Sequence, residues 1–393
     1  MNTINNINFR GERVIIRVDY NVPFDEKNQI TDTTRIEASK ETILMVLKNG
    51  GSVILLTHMG RPKGVDMSLS CSLIVNEVSK ILNQKVLFSP STVGGAAELM
   101  TKSLIQGQVI LMENVRFHQE ETIGDFSFAK QLSRLGTVYI NDAFGTAHRA
   151  HSSTTLIAQF FKNKYCGKLL EKEVTSIDKV INNGKKPILA ILGGAKISSK
   201  ISIIESLLDS VDDILIGGGM AFTFVQAKGG LIGASICESD FCQYALDLIE
   251  KAKEKEVKIH LPSDVVIADS FSNSANIKVS SISKIPEGWQ GLDFGPESIK
   301  RITPLIKKSK TILWNGPLGV FEFDNFSNGT KILGRLIVEA TSKGAFSLVG
   351  GGDSVAAVKK FGLDDKMSYV STGGGAMLES LEGKTLPGIK ALE

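Results

Sequence analysis

Five arginines carry the strongest chemical signal in this chain. Arg17, Arg61, Arg116 and Arg149 follow the ends of apolar β-branched runs, and Arg35 opens a helical segment. The contexts read Arg17-Val18-Asp19-Tyr20-Asn21-Val22-Pro23, His58-Met59-Gly60-Arg61-Pro62, Glu113-Asn114-Val115-Arg116-Phe117-His118 and Asn141-Asp142 onward to His148-Arg149-Ala150-His151. A guanidinium is a planar fork that matches phosphate or carboxylate through two parallel hydrogen bonds. Any one of these arginines alone reads as a solvated charge or a local ion pair. Five at one structural position, joined by His58 and His148, point to a small ligand with several negative charges. Arg17 is the weakest member, with a second reading as a side chain turned into the core and paired with Asp19. His118, His151 and His260 read as hydrogen-bonding groups outside the site.

A second set is glycine-rich. It comprises Gly193-Gly194-Ala195-Lys196-Ile197-Ser198-Ser199-Lys200, Gly217-Gly218-Gly219-Met220, Trp314-Asn315-Gly316-Pro317 onward to Glu322, and Gly350-Gly351-Gly352-Asp353-Ser354. Glycine lets the backbone come close to a ligand, and the helix start behind it offers free N–H groups to phosphate. Lys196 and Lys200 are spaced i, i+4 and are expected on one helical face, within reach of terminal phosphates. Asp353 suits nucleotide-bound Mg²⁺, which is held through one or two carboxylates plus phosphates. Singly, each glycine cluster reads as tight helix–strand packing, Asp353 as an N-cap and Glu322 as surface charge; four such strand ends in one half favour phosphate. The common nucleotide fingerprints are missing. Leu378 occupies the first glycine position of the P-loop pattern before Gly383-Lys384-Thr385, and no G-x-G-x-x-G follows the first strand. No His and carboxylate spacing suggests a metal cage made by protein alone.

These residues need a frame that presents strand ends on one rim. Val14 to Val18, Ser52 to Thr57, Lys85 to Phe88, Gln108 to Met112 and Thr137 to Ile140 read as buried strands, alternating with helical segments such as Thr33 to Lys48, whose apolar face is expected at Ile36, Ile43, Leu44 and Leu47. The second half repeats the scheme. Its expected strands are Pro187 to Leu192, Ile214 to Ile216, Val257 to His260, Val265 to Ala268, Thr311 to Trp314 and Ala345 to Val349. Helices are expected at Ser198 to Leu208, Ser239 to Lys255, Ser327 to Ser342 and Asp353 to Phe361. Repeated strand–helix–strand units imply an α/β fold with two doubly wound parallel sheets, whose ligands bind beyond the carboxyl ends of the strands. The expected domains are 1–168 and 169–383, joined by a helix over Lys168 to Ile181.

The chain has 393 residues, too many for one core, and 42% are hydrophobic. A net charge of +3 argues against a nucleic-acid or membrane-surface binder. The four cysteines form no C-x-x-C pair, and the polar N-terminus lacks an apolar signal core, so a reduced, cytoplasmic protein is expected.

The arginine segments, Asp142 to Ser153, Gly193 to Lys196, Trp314 to Glu322, Gly350 to Ser354 and Ser371-Thr372-Gly373-Gly374-Gly375-Ala376 together resemble phosphoglycerate kinase, in order and along essentially the whole chain. The resemblance implies reversible phosphoryl transfer between 1,3-bisphosphoglycerate with ADP and 3-phosphoglycerate with ATP, with Mg²⁺ on the nucleotide, in a monomer. It implies substrate contacts at Asp19, Asn21, Arg35, His58, Arg61, Arg116 and Arg149. It implies nucleotide contacts at Lys200, Gly291, Glu322, Gly350, Gly351, Gly352, Asp353 and Ser354, with Lys196 at the transfer site and Asp353 near the metal. Arg35, Lys196 and Lys200 are the expected catalytic groups, and 384–393 is expected to pack on the N-terminal domain. Departures are mild: Ser354 stands where many members have Thr, Ser270 where many have Lys, and Cys71 where a Pro is common. The competing readings are another two-domain transferase acting on a different acid, and a nucleotide-responsive binding protein without catalysis.

Overall fold

The computed structural model describes residues 1–393. The chain divides into a unit of Met1–Val174 with Thr385–Glu393 and a unit of Thr175–Lys384. The division falls inside the helix Lys168–Ile181.

The first unit is built on six strands: β1 Arg13–Arg17, β2 Ser52–Leu56, β3 Val86–Ser89, β4 Val109–Met112, β5 Val138–Asn141 and β6 Lys164–Cys166. They pair in parallel in the order β3-β4-β2-β1-β5-β6. β2 and β4 are buried at every residue, as their continuous apolar runs require. Burying each such Val, Leu or Ile stabilises by about 1.5–3 kcal/mol, which holds the register. The helix Thr34–Lys48 buries Ile36, Ser39, Thr42, Ile43 and Val46, while Leu44 is exposed. The helical period places Ser39 and Val46 on the stripe with Ile36 and Ile43 and turns Leu44 away. From β1 the chain builds to one side through β2 and to the other at β5. The switch point of the sheet therefore lies between β1 and β5. The segment 385–393 packs within this unit: Gly388 N–H donates to the Ala147 carbonyl (2.8 Å), and Lys164 Nζ to the Ala391 carbonyl (2.7 Å).

The second unit's main strands are β7 Ile188–Leu192, β8 Asp213–Ile216, β10 Lys258–His260, β15 Thr311–Asn315, β16 Phe346–Val349 and β17 Tyr369–Val370, in the parallel order β10-β8-β7-β15-β16-β17. Its switch point lies between β7 and β15. Between β8 and β15 the chain adds β9 Leu231–Ile232, β11 Asp264–Ala268, β12 Ile277–Ser281, β13 Lys284–Ile285 and β14 Gln290–Phe294. The strand expected over Val265 to Ala268 is β11, yet it belongs to a separate antiparallel sheet, β12-β11-β14. The helix expected from Ser198 begins only at Ile201. The N–H and hydroxyl of Ser198 both donate to Glu238 (2.9 and 2.7 Å), which holds 193–200 as a turn rather than a helix. No helix of the chain is long and apolar enough to cross a membrane.

Candidate functional site

The first unit gathers cations beyond the ends of β1, β2, β4 and β5. Arg35 donates to Asp19 Oδ2 (2.6 Å) and is about one-third exposed. Asn21 Oδ1 accepts the Gly60 N–H (2.8 Å), and Arg116 donates to the Gly60 carbonyl (2.6 Å). The turn that carries Arg61 is thus held from both sides, and Arg61 itself is exposed. Arg149 is exposed as well, and its charge acts on Arg116 and on His151. Burial first, then the charge of Arg17, lowers Arg116 to about 10. It remains a cation at neutral pH, with the charges of Glu121 and Asp19 opposing the shift.

Arg17 does turn into the core, fully buried, but Asp19 is not its partner. It donates to Ser153 Oγ (2.8 Å), to the Val18 carbonyl and to His58 Nδ1 (3.2 Å). Asp19 is already engaged by Arg35. His58 is held well below its ordinary value by burial and then by Arg17, Arg116 and Arg35. His151 belongs to the same cluster, although no motif singled it out. It is buried, and burial followed by Arg116, Arg17 and Arg149 pushes it down to about 4, so it is neutral at pH 7. His118 packs on Phe128, ring centres 4.8 Å apart, and His260 bonds Asp213 (2.7 Å) at the far end of β8.

In the second unit the loops after β7, β8 and β15 meet through their glycines. A Cβ on Gly193 would stand 2.1 Å from the Pro317 carbonyl oxygen, and one on Gly218 would stand 2.6 Å from the backbone of Gly194. Gly316 has φ +105°, and its N–H donates to the buried Ser354 hydroxyl. The Ser354 side chain is therefore committed inside the fold. These glycines serve close packing. Gly352, by contrast, opens the helix Gly352–Lys360 with nothing within 4 Å of the position a Cβ would take.

Lys200 Nζ donates to Asn315 Oδ1, and Asn315 Nδ2 donates to the Gly350 carbonyl (2.7 Å). The buried Asn315 thereby ties Lys200 to the triple-glycine loop. Burial lowers Lys200, and the charge of Asp353 opposes that shift. Lys196 and Lys200 do not share a helical face: Lys196 is exposed on the turn that precedes the helix.

Beside these loops lies a cavity of about 410 Å³. Its walls include Gly219, Phe222, Gly291, Leu292, Pro317 and Val320, and Glu322 and Asp353 supply carboxylates. Gly291 leaves no room for a side chain, since a Cβ there would stand 2.2 Å from the Phe222 ring. A mostly apolar slot with a few polar groups is the usual form of a small-molecule pocket. No group of three or more His, Cys, Asp or Glu side chains forms a metal cage. The exposed carboxylate of Asp353, beside the triple-glycine loop, fits a cation held mainly by nucleotide phosphates.

The family model described as phosphoglycerate kinase matches residues 4–384. A phosphoglycerate kinase of Thermosynechococcus vestitus is 50% identical over 383 residues, covering 98% of this chain and 96% of the relative. Cytosolic phosphoglycerate kinase 3 of Arabidopsis thaliana is 49% identical over 391 residues, covering 100% of this chain and 98% of its own. Among solved structures, phosphoglycerate kinase from Coxiella burnetii superposes with a TM-score of 0.91 at 40% identity, covering 99% of this chain and 98% of that one. With both six-stranded sheets present and the match running nearly end to end, the chain belongs to the phosphoglycerate kinase family.

Proposed function

We propose that this glycolytic kinase, which moves phosphate between ATP and the carboxyl group of 3-phosphoglycerate, holds its glycerate ligand on the first unit and its nucleotide on the second. The observation that carries this division is the contrast between the two strand-end rims. One is a set of arginines with few carboxylates, and the other is an apolar slot lined by Glu322 and Asp353 and by the glycine-rich loops after β7, β8 and β15, where Asn315 ties Lys200 to Gly350. Asp19, Asn21, Arg35, His58, Arg61, Arg116 and Arg149 bind 3-phosphoglycerate or 1,3-bisphosphoglycerate. Gly291 and Glu322 border the nucleoside, and Lys200 with Gly350, Gly351, Gly352, Asp353 and Ser354 takes the phosphates, Ser354 through its backbone N–H. Asp353 holds Mg²⁺ together with those phosphates, and the metal supplies charge neutralisation. The protein acts as a cytoplasmic monomer.

The acceptor is a carboxylate, already ionised at neutral pH, so no general base is required. Positioning and charge do the chemistry. Arg35 and Lys196 neutralise the transferring group, and Lys200 with the N–H groups at Gly352 orients the nucleotide. Direct transfer requires the ligands to meet, which we assign to bending about the helix Lys168–Ile181, where the chain passes from one unit to the other. A coupled assay with ATP, Mg²⁺ and 3-phosphoglycerate tests the roles. Lys196→Ala is expected to lower kcat by about 10³-fold while KM for each substrate stays within about fivefold. A near-normal kcat in that variant removes Lys196 from the transfer step.

A further inference from the structure

We propose that Arg17 is a positioning residue that holds His58 as a neutral, Nε2-protonated hydrogen-bond donor for the glycerate anion. This rests on the assignment of that ligand to the first unit. Arginine has only donors, so every hydrogen bond it makes points outward. Arg17 NH2 lies 3.2 Å from His58 Nδ1, which must therefore accept, leaving the ring proton on Nε2. An imidazolium at His58 would set an N–H against the guanidinium. Asp19 Oδ1 stands 3.9 Å from the same nitrogen, too far to compete as an acceptor.

The direction is fixed from the other end as well. Arg17 Nε donates to Ser153 Oγ (2.8 Å), so that hydroxyl turns its single proton to Glu121 Oε1 (2.6 Å). Ser153 N–H donates to Glu121 Oε2 (2.8 Å). Glu121 is fully buried and accepts at both oxygens, the pattern of a carboxylate. A relay from Glu121 through Ser153 and Arg17 to His58 thus runs beneath the rim, with every proton assigned. The groups around His58 are Arg17, Arg35, Arg116, the neutral His151 and Asp19; of these, the three arginine charges oppose its protonation. The site consequently meets its anion through arginine charges that do not titrate near pH 7, and through one histidine N–H that keeps its form across that range.

Nitrogen-15 NMR of histidine-labelled protein reads the tautomer directly. The chain has five histidines, and a His58→Gln spectrum assigns the signal. In the ligand-free wild type, His58 is expected as the Nε2–H tautomer without titration from about pH 5.5 to 8. The Nδ1–H form, or an imidazolium titrating near the ordinary value, overturns the proposal. Arg17→Met should release the tautomer and raise KM for 3-phosphoglycerate about tenfold, with KM for ATP unchanged. Because removal of a buried charge endangers folding, Ser153→Ala, which cuts the relay one step away, should shift the His58 signals in the same direction. A released tautomer with unchanged KM for 3-phosphoglycerate overturns the positioning role while leaving the relay itself in place.

Discussion

The two units build the anion sites assigned to them by opposite means. The first uses side chains: Arg35 is paired with the buried Asp19, and Arg116 donates to the carbonyl of Gly60, whose N–H Asn21 accepts. The second uses the main chain. Its loops approach one another so closely that glycine is the only residue that fits at Gly193, Gly316 and Gly218. A site of the first kind fails when a charge is removed, and the fold survives. A site of the second kind fails when a methyl group is added, and the fold fails with it wherever the methyl meets backbone.

The largest effect is expected at Arg35. It is partly exposed and its one close partner is Asp19, so replacing it should leave the first unit folded. Arg35→Ala is expected to reduce kcat by about 10³-fold, with KM for 3-phosphoglycerate raised by less than about tenfold, in steady-state kinetics with both substrates varied. A loss confined to KM would leave Arg35 a binding arginine only and remove it from the transfer step.

Two glycines divide the second site into its packing and ligand-facing parts. Gly193→Ala drives a methyl into the Pro317 carbonyl oxygen, which is backbone and cannot step aside. It should destabilise the second unit by about 3 kcal/mol, seen as a lower Tm. Gly352→Ala meets open space and should leave Tm within about a degree of wild type. Its methyl instead occupies the ground assigned to phosphate, and ADP affinity by calorimetry should fall about tenfold. Equal Tm losses in both variants would mean that Gly352 too serves packing, and would remove the phosphate from that helix start.

The legible parts of the sequence are those whose signal is local. β2, β4, β7 and β15 were readable because each is an apolar run buried at every residue. β12 was not, since Ile277–Ser281 is exposed at four of five positions and shows no apolar stretch, and β14 carries Gly291. The arginines announced themselves by type and by place after a strand. Asn315 did not, because its meaning depends on Lys200, 115 residues away, and on Gly350. His151 looks like any loop histidine until folding sets it among Arg116, Arg17 and Arg149. The turn at 196–200 misled for a related reason: Glu238, which holds Ser198, is 40 residues further on.

The last prediction compares one buried carboxyl in each unit. Burial raises both Asp142 and Asp293 to about 7. Asp293 is the cleaner case. Its Oδ2 accepts the Gly329 N–H (2.7 Å), while Oδ1 is buried without a partner. Between about pH 4 and 7 the folded state holds this proton and the unfolded chain releases it. The group's contribution to stability is therefore complete below about pH 4 and is lost as pH rises through 7, with a slope of at most about 1.4 kcal/mol per pH unit. Asp293→Asn never ionises, so it should gain on wild type as pH rises: little difference near pH 4, and a gain at pH 8 of up to about 4 kcal/mol, the roughly three pH units of the shift taken at that slope. The only two tryptophans, Trp289 and Trp314, both lie in the second unit, so their fluorescence in a urea titration isolates its unfolding. A variant no more stable than wild type at pH 8 would mean that the Asp293 carboxylate has a compensating interaction there. The cost of buried charge would then fall on Asp142 and the arginine-rich unit alone.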